Sequence, residues 1–251
     1  MALVAFNQMT QMFAYSVLIP SLMAELHLTY ALAGTLTSAY TLAMCATMAP
    51  VGIIGDRLGV RALVLAGTVA LLLGAFLFAS ASNYPVALAS RLLVGAGAGV
   101  ALALPPPVLA YWFNKSEYKS VTGLQISVGK TGSVVATWVL PPLVVALGWR
   151  LGYSAMSLVG VATLLLVFAV QANRPSEVGL PDSLGMAVSD DQRERSAPEP
   201  PLPFRQMVRQ RDLLLLAISQ ALIYIAYFGM TNWLPTYYQV SQRRRPSLVS
   251  Q

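Results

Sequence analysis

The 251-residue chain contains one cysteine, Cys45, one histidine, His27, and only 10% charged residues. A single cysteine excludes an internal disulfide, and one histidine beside one cysteine leaves no cluster at the spacing that metal sites use. No nucleophile–base pair and no cofactor motif occurs, so neither enzyme chemistry nor a metal or cofactor is expected. Gly129-Lys130-Thr131 invites comparison with a phosphate loop, but five residues separate Gly123 from Gly129 where that motif needs four. So little charge also excludes an ordinary soluble domain. Cys45 stands among Ala and Met and reads as a packing residue. His27, close to Glu25 in a polar turn, reads as a solvated loop residue rather than a pH sensor or ligand.

What is present is apolar, at 56% of residues. Long apolar runs cover about residues 2–24, 31–54, 62–80, 85–112, 121–147, 153–170 and 213–238. At about 1.5 Å per helical residue each crosses, or nearly crosses, roughly 30 Å of hydrocarbon. The fold expected is all-α and polytopic, with seven spans. The net charge of +6 follows membrane topology rather than a nucleic-acid face. With the amino terminus inside, the cytoplasmic connections hold Arg57, Arg61, Lys115, Lys119, Arg174, Arg193, Arg195, Arg205, Arg209 and Arg211, whereas the first three external ones hold Arg150. That bias orients the chain in a bacterial-type inner membrane, with the lipid bilayer as partner and no nucleic acid. The first run is too long for a signal-peptide core and lacks a basic lead-in; the missing lead-in also suggests a natural start upstream of Met1.

Gly52-Ile-Ile-Gly-Asp-Arg-Leu-Gly-Val-Arg61 places three charges and three glycines between the second and third runs, as a turn at the membrane surface. The pattern resembles the loop between helices two and three of the major facilitator superfamily. Arg91-Leu-Leu-Val-Gly-Ala-Gly-Ala-Gly99 resembles that family's fourth helix, and Trp112-Phe113, Gly148-Trp149-Arg150 and Arg174–Pro181 resemble its connections. The fifth-helix Gly-Pro pattern is only partly met, by Gly129, Gly132 and Pro141-Pro142, so no antiporter subgroup follows. The resemblance implies two six-helix halves rocking about a central site. Gly52, Gly55, Asp56, Arg57, Gly59 and Arg61 would then work the cytoplasmic gate, and Gly95, Gly97 and Gly99 would let helix backbones approach closely.

On this reading residues 1–171 form the amino-terminal six-helix half, 172–211 the central cytoplasmic loop and 212–239 the seventh helix. Six prolines among mixed charges mark 174–211 as a linker, whose last part, 203–211, suits a short basic helix on the inner leaflet. Phe13–Pro20 and Phe228–Pro235 share a pattern of aromatic, small, bulky, hydroxyl, any, apolar, apolar, proline, as first helices of two parallel repeats would. Residues 240–251 carry Arg243–Arg245 on the external side, against the bias of the other loops. The expectation is a transporter truncated after its seventh helix.

Polar groups inside spans are costly and are read as functional first. Lys130 lies roughly 13 Å into its span, where a fixed cation in a central cavity would favour a small organic anion; pairing with nearby carbonyls or snorkelling are the bland readings. Arg91 lies about 9 Å from the outer end of span four, facing the cavity or snorkelling outward. Asn7, Gln11 and Tyr15 recur every fourth residue on one face of span one, and Gln220, Tyr224 and Tyr227 form the counterpart in span seven. These are candidate substrate contacts or interhelical hydrogen-bonding groups. Pro105-Pro106-Pro107 would bend or end span four. The function expected is alternating-access transport of a small solute, a small organic anion above others, with oligomeric state open. The alternative is a non-transporting membrane fragment acting as an interaction or regulatory partner.

Overall fold

A computed structural model describes residues 1–170 and 211–243, except for some side chains within its helices. The expected linker, its basic helix at 203–211, and residues 244–251 lie outside the described residues. Two compact units divide the chain, Met1–Met186 and Ala187–Gln251.

The first unit is built of helices: α1 (Ala2–Leu26), α2 (Tyr30–Leu58), α3 (Val60–Ala79), α4 (Tyr84–Ala103), α5 (Pro105–Trp112) and α6 (Lys115–Val170). The second unit holds α7 (Arg211–Arg243). Local chemistry sets several ends. His27 closes α1 in the left-handed conformation at φ 51°. The Thr29 hydroxyl accepts from Leu32 N–H to start α2, and the Asn83 side chain accepts from Val86 N–H to start α4. Three consecutive prolines follow Leu104, and there α4 gives way to α5. Gly148, at φ 78° and ψ 161°, breaks α6 into a first arm (115–147) and a second arm (149–170).

Among the described residues, four stretches are long and apolar enough to cross a bilayer: Ala2–Leu26, Val60–Ala79, Tyr84–Ala110 and Ser116–Ala169, the last being 54 residues with the break at Gly148 inside it. α2, at 29 residues, also has the length.

Packing within the first unit is by close backbone approach. α1 lies chiefly on α6, α2 and α3 each lie on α4, and α3 also meets α6. Gly95 and Gly99 of α4 face the Tyr40 and Met44 carbonyls of α2, whereas Gly97 faces the Gly67 carbonyl of α3. Gly132 of α6 meets the Phe6 carbonyl of α1. A methyl group at any of these four would collide with backbone. Lipid supplies no hydrophobic drive for helix association, so such contacts carry the bundle.

Two expectations are corrected. The segment 52–61 is not a ten-residue turn: α2 continues to Leu58 and α3 starts at Val60, leaving Gly59 alone as the connection, at φ 80°. Charged side chains at a helix end can reach water while the helix keeps its backbone bonds, so the charge run did not require a loop. Cys45 is exposed on α2 and is not a packing residue of this unit.

Candidate functional site

The first arm of α6 has two unlike faces. Gly129, Gly132, Ala136 and Leu140 are buried, with Gly129 against Ala5 and Gly132 against Phe6 of α1. Turned away from α1 are Ser127, Lys130, Thr131 and Thr137, all exposed, together with the exposed apolar side chains of Ile126, Val134 and Trp138. The hydroxyls are satisfied within their own helix: Ser127 donates to Gly123 O at 2.8 Å, Thr131 to Val128 O at 2.7 Å, Ser133 to Lys130 O at 2.7 Å, and Thr137 to Ser133 O. A hydroxyl bonded in this way tolerates an apolar setting; an ammonium does not. Lys130 is therefore the group that gives this face its chemistry.

The stripe on α1 turns inward. Asn7, Gln11 and Tyr15 are each no more than 1% exposed. Gln11 Nε2 donates to Ser157 Oγ of α6 at 3.2 Å, and Tyr15 Oη donates to Ala33 O of α2 at 2.7 Å. Gln8, beside the stripe, donates to Tyr40 Oη at 3.0 Å. Arg91 of α4 is 2% exposed, and its guanidinium lies 4.3 Å from the Tyr15 ring centre and 4.6 Å from that of Tyr40. It does not snorkel outward. Arg91 Nε and Nη1, Asn7 Nδ2, Gln11 Oε1 and Tyr153 Oη are buried without a protein hydrogen-bond partner, a pattern that ordered water satisfies in helical bundles.

Where α3 begins, Arg61 Nη2 donates to Phe168 O at 2.7 Å, and its guanidinium lies 5.7 Å from the Phe168 ring centre. A cation on the last turn of α6 is electrostatically favoured there. The side chains of Asp56, Arg57 and Gln220 lie outside the described residues. In the second unit Tyr224 and Tyr227 are exposed on α7 and pack against Phe228, with ring centres 5.8 and 5.6 Å away.

Two groupings were missed in the sequence. Tyr40 joins Tyr15 against Arg91, and behind them Phe78 lies 5.9 Å from Tyr15 and 5.4 Å from Tyr153. Aromatics inside apolar runs give no sign of this beyond the presence of a buried cation. Where α1, α3 and the second arm of α6 come together, Glu25 accepts from Trp149 Nε1 and pairs with Arg150 at 2.7 Å, while Arg150 also donates to Ala79 O and Ala81 O. A signal did exist: Arg150 is the sole cation of the first three external connections, and Glu25 is an acid on the same side.

A family model described as Major Facilitator Superfamily matches residues 1–246. Among curated proteins, a "Probable anion transporter 6" of Oryza sativa subsp. japonica is 26% identical over 155 residues, 60% of this chain and 36% of that protein. A "Hexuronate transporter" of Bacillus subtilis is 22% identical over 89% of this chain and 51% of its own length. The chain thus spans about half or less of these relatives. Among solved structures, the inward-open xylose transporter XylE from E. coli aligns with a TM-score of 0.62 at 14% identity, covering 80% of this chain and 56% of that one. A peptide transporter POT in complex with sulfate aligns with a TM-score of 0.58 at 15% identity, covering 99% of this chain and 53% of that one.

Proposed function

Because the chain belongs to the major facilitator superfamily, we propose that it contributes one six-helix half, and the start of a second, to a transporter that moves a small organic anion by alternating access. The observation that carries this reading is the exposure of Lys130, with the hydroxyls of Ser127, Thr131 and Thr137, on the face of α6 turned away from the helix on which α6 packs. Lipid would penalise an ammonium there, whereas an aqueous cavity between two halves would not. A carboxylate entering that cavity would be attracted by the charge of Lys130. The two curated relatives named above, one described as an anion transporter and one as a hexuronate transporter, support the same substrate class. Asp56, Arg57 and Arg61 would act on the cytoplasmic gate and would not touch substrate.

The test is uptake of glucuronate, with xylose as a neutral comparison, by proteoliposomes containing the chain. Glucuronate uptake should exceed xylose uptake, and Lys130→Gln should lower it by about tenfold or more, as expected for losing a charged contact of about 1.5–3 kcal/mol. Unchanged glucuronate uptake in Lys130→Gln would sink the anion reading. Absence of uptake by the unaltered chain would instead favour a non-transporting membrane partner.

A further inference from the structure

The proline break after α4 has a second consequence. Beneath α5, at the cytoplasmic end of the first unit, lies a cavity of about 510 Å³. Its wall includes Leu3 of α1, Val108 and Trp112 of α5, Leu124 and Gln125 of the first arm of α6, and Val167 of the second. Three elements therefore end around one apolar space, and Gln125 gives it a polar edge. Around the first arm at 100° per residue, Val121, Leu124 and Gln125 lie about 120–180° from Lys130. The cavity is thus separate from the polar face assigned to substrate.

An apolar pocket in the plane of the inner leaflet is surrounded by hydrocarbon chains. Trp112 and Phe113 stand in its wall at the level where aromatic side chains favour the headgroup region. The same end is cationic. Arg61 is held on the carbonyl of Phe168, the residue after Val167, and exposed Lys119 lies two residues before Val121. We infer that this cavity takes an acyl chain of an inner-leaflet phospholipid whose anionic head group is attracted by Arg61 and Lys119.

The probe is phosphatidylglycerol with brominated acyl chains, added at increasing mole fraction to phosphatidylcholine proteoliposomes containing the chain. The signal is the fluorescence difference between the unaltered chain and Trp112→Phe, which isolates Trp112 from the other three tryptophans. Quenching of Trp112 should saturate at low mole fraction. Brominated phosphatidylcholine should need a higher fraction, by about fivefold for each cation that contributes. Arg61→Gln and Lys119→Gln should each narrow that gap. Leu124→Glu, at an exposed position where a charge need not disturb the core, should make the cavity unfavourable for an acyl chain of either lipid and leave only quenching proportional to bulk lipid. Circular dichroism checks that each variant keeps its helices. Three outcomes would overturn the inference: quenching proportional to bulk lipid in the unaltered chain, equal response to both lipids, or saturation that survives Leu124→Glu. A brominated free alkane that saturates Trp112 quenching as readily as the phospholipid would likewise overturn it, by showing a solvent-like pocket with no head group selection.

Discussion

Arg91 lies with its guanidinium 4.3 Å from the ring centre of Tyr15, and both side chains are inside the six-helix unit with at most 2% exposure. Among the described residues no carboxylate forms an ion pair with this arginine. Its charge is met by ring faces, the second being Tyr40 at 4.6 Å. Tyr15→Phe keeps the ring and loses the hydrogen bond to Ala33 O, which should cost about 1 kcal/mol. Tyr15→Leu removes the ring as well and should cost about 2 kcal/mol more. Thermal unfolding of the purified chain in detergent gives the order. Equal losses for the two variants would show that the ring face does not stabilise Arg91.

The ends of three helical segments meet at Arg150, which bonds Glu25 as well as the carbonyls of Ala79 and Ala81. The carboxylate contact is partly exposed, with 33% and 44% of the two side chains accessible, so solvent and salt screen it. Glu25→Gln should therefore cost about 1 kcal/mol or less, and its effect should shrink as salt rises. Arg150→Ala also strands two carbonyls and should cost more than Glu25→Gln at every salt concentration. A double-mutant cycle between the two positions measures the shared part.

The same contrast explains what could be read from the residues alone. The lengths of the apolar runs reveal the all-helical, membrane-spanning character, because hydrocarbon thickness acts on each segment separately. The alternate glycines of α4 were also legible: a helix turns about 100° per residue, so Gly95 and Gly99 face one neighbour while Gly97 faces another. The rings about Arg91 were hidden, since Tyr40 and Tyr153 lie 51 and 62 residues from it and an aromatic in an apolar run suits simple packing equally well. The segment 52–61 misled for a different reason. Three charges and three glycines have turn composition, but only Gly59 adopts a backbone that a helix cannot accommodate.

That position yields a sharper expectation. Gly59 and Gly148 sit at φ 80°, ψ 152° and φ 78°, ψ 161°, a region essentially restricted to glycine. Nothing lies within 4 Å of a methyl group placed at Gly148, so Gly148→Ala tests backbone strain without a steric clash. It should cost of order 1–3 kcal/mol. Gly123→Ala is the comparison, because Gly123 is helical with equal open space and should be neutral or slightly stabilising. Similar melting temperatures for the two variants would contradict the assigned break in α6.

Packing and polarity of the first arm of α6 can be separated by where a thiol reacts. With Cys45→Ser as background, a cysteine is placed in turn at Thr131, exposed beside Lys130, and at Leu158, which is 58% exposed on the second arm among apolar neighbours. Both positions are open in the isolated chain, so access alone does not distinguish them. The reactive species is the thiolate, which forms readily in water and poorly in hydrocarbon. If the Lys130 face borders an aqueous path, Thr131→Cys in proteoliposomes should react with a charged, membrane-impermeant maleimide more than about tenfold faster than Leu158→Cys. A lipid-soluble maleimide, which reaches both environments, should reduce that ratio. Equal slow labelling of both by the charged reagent would place the Lys130 face in lipid, and the cavity reading of Lys130 would then have to be abandoned.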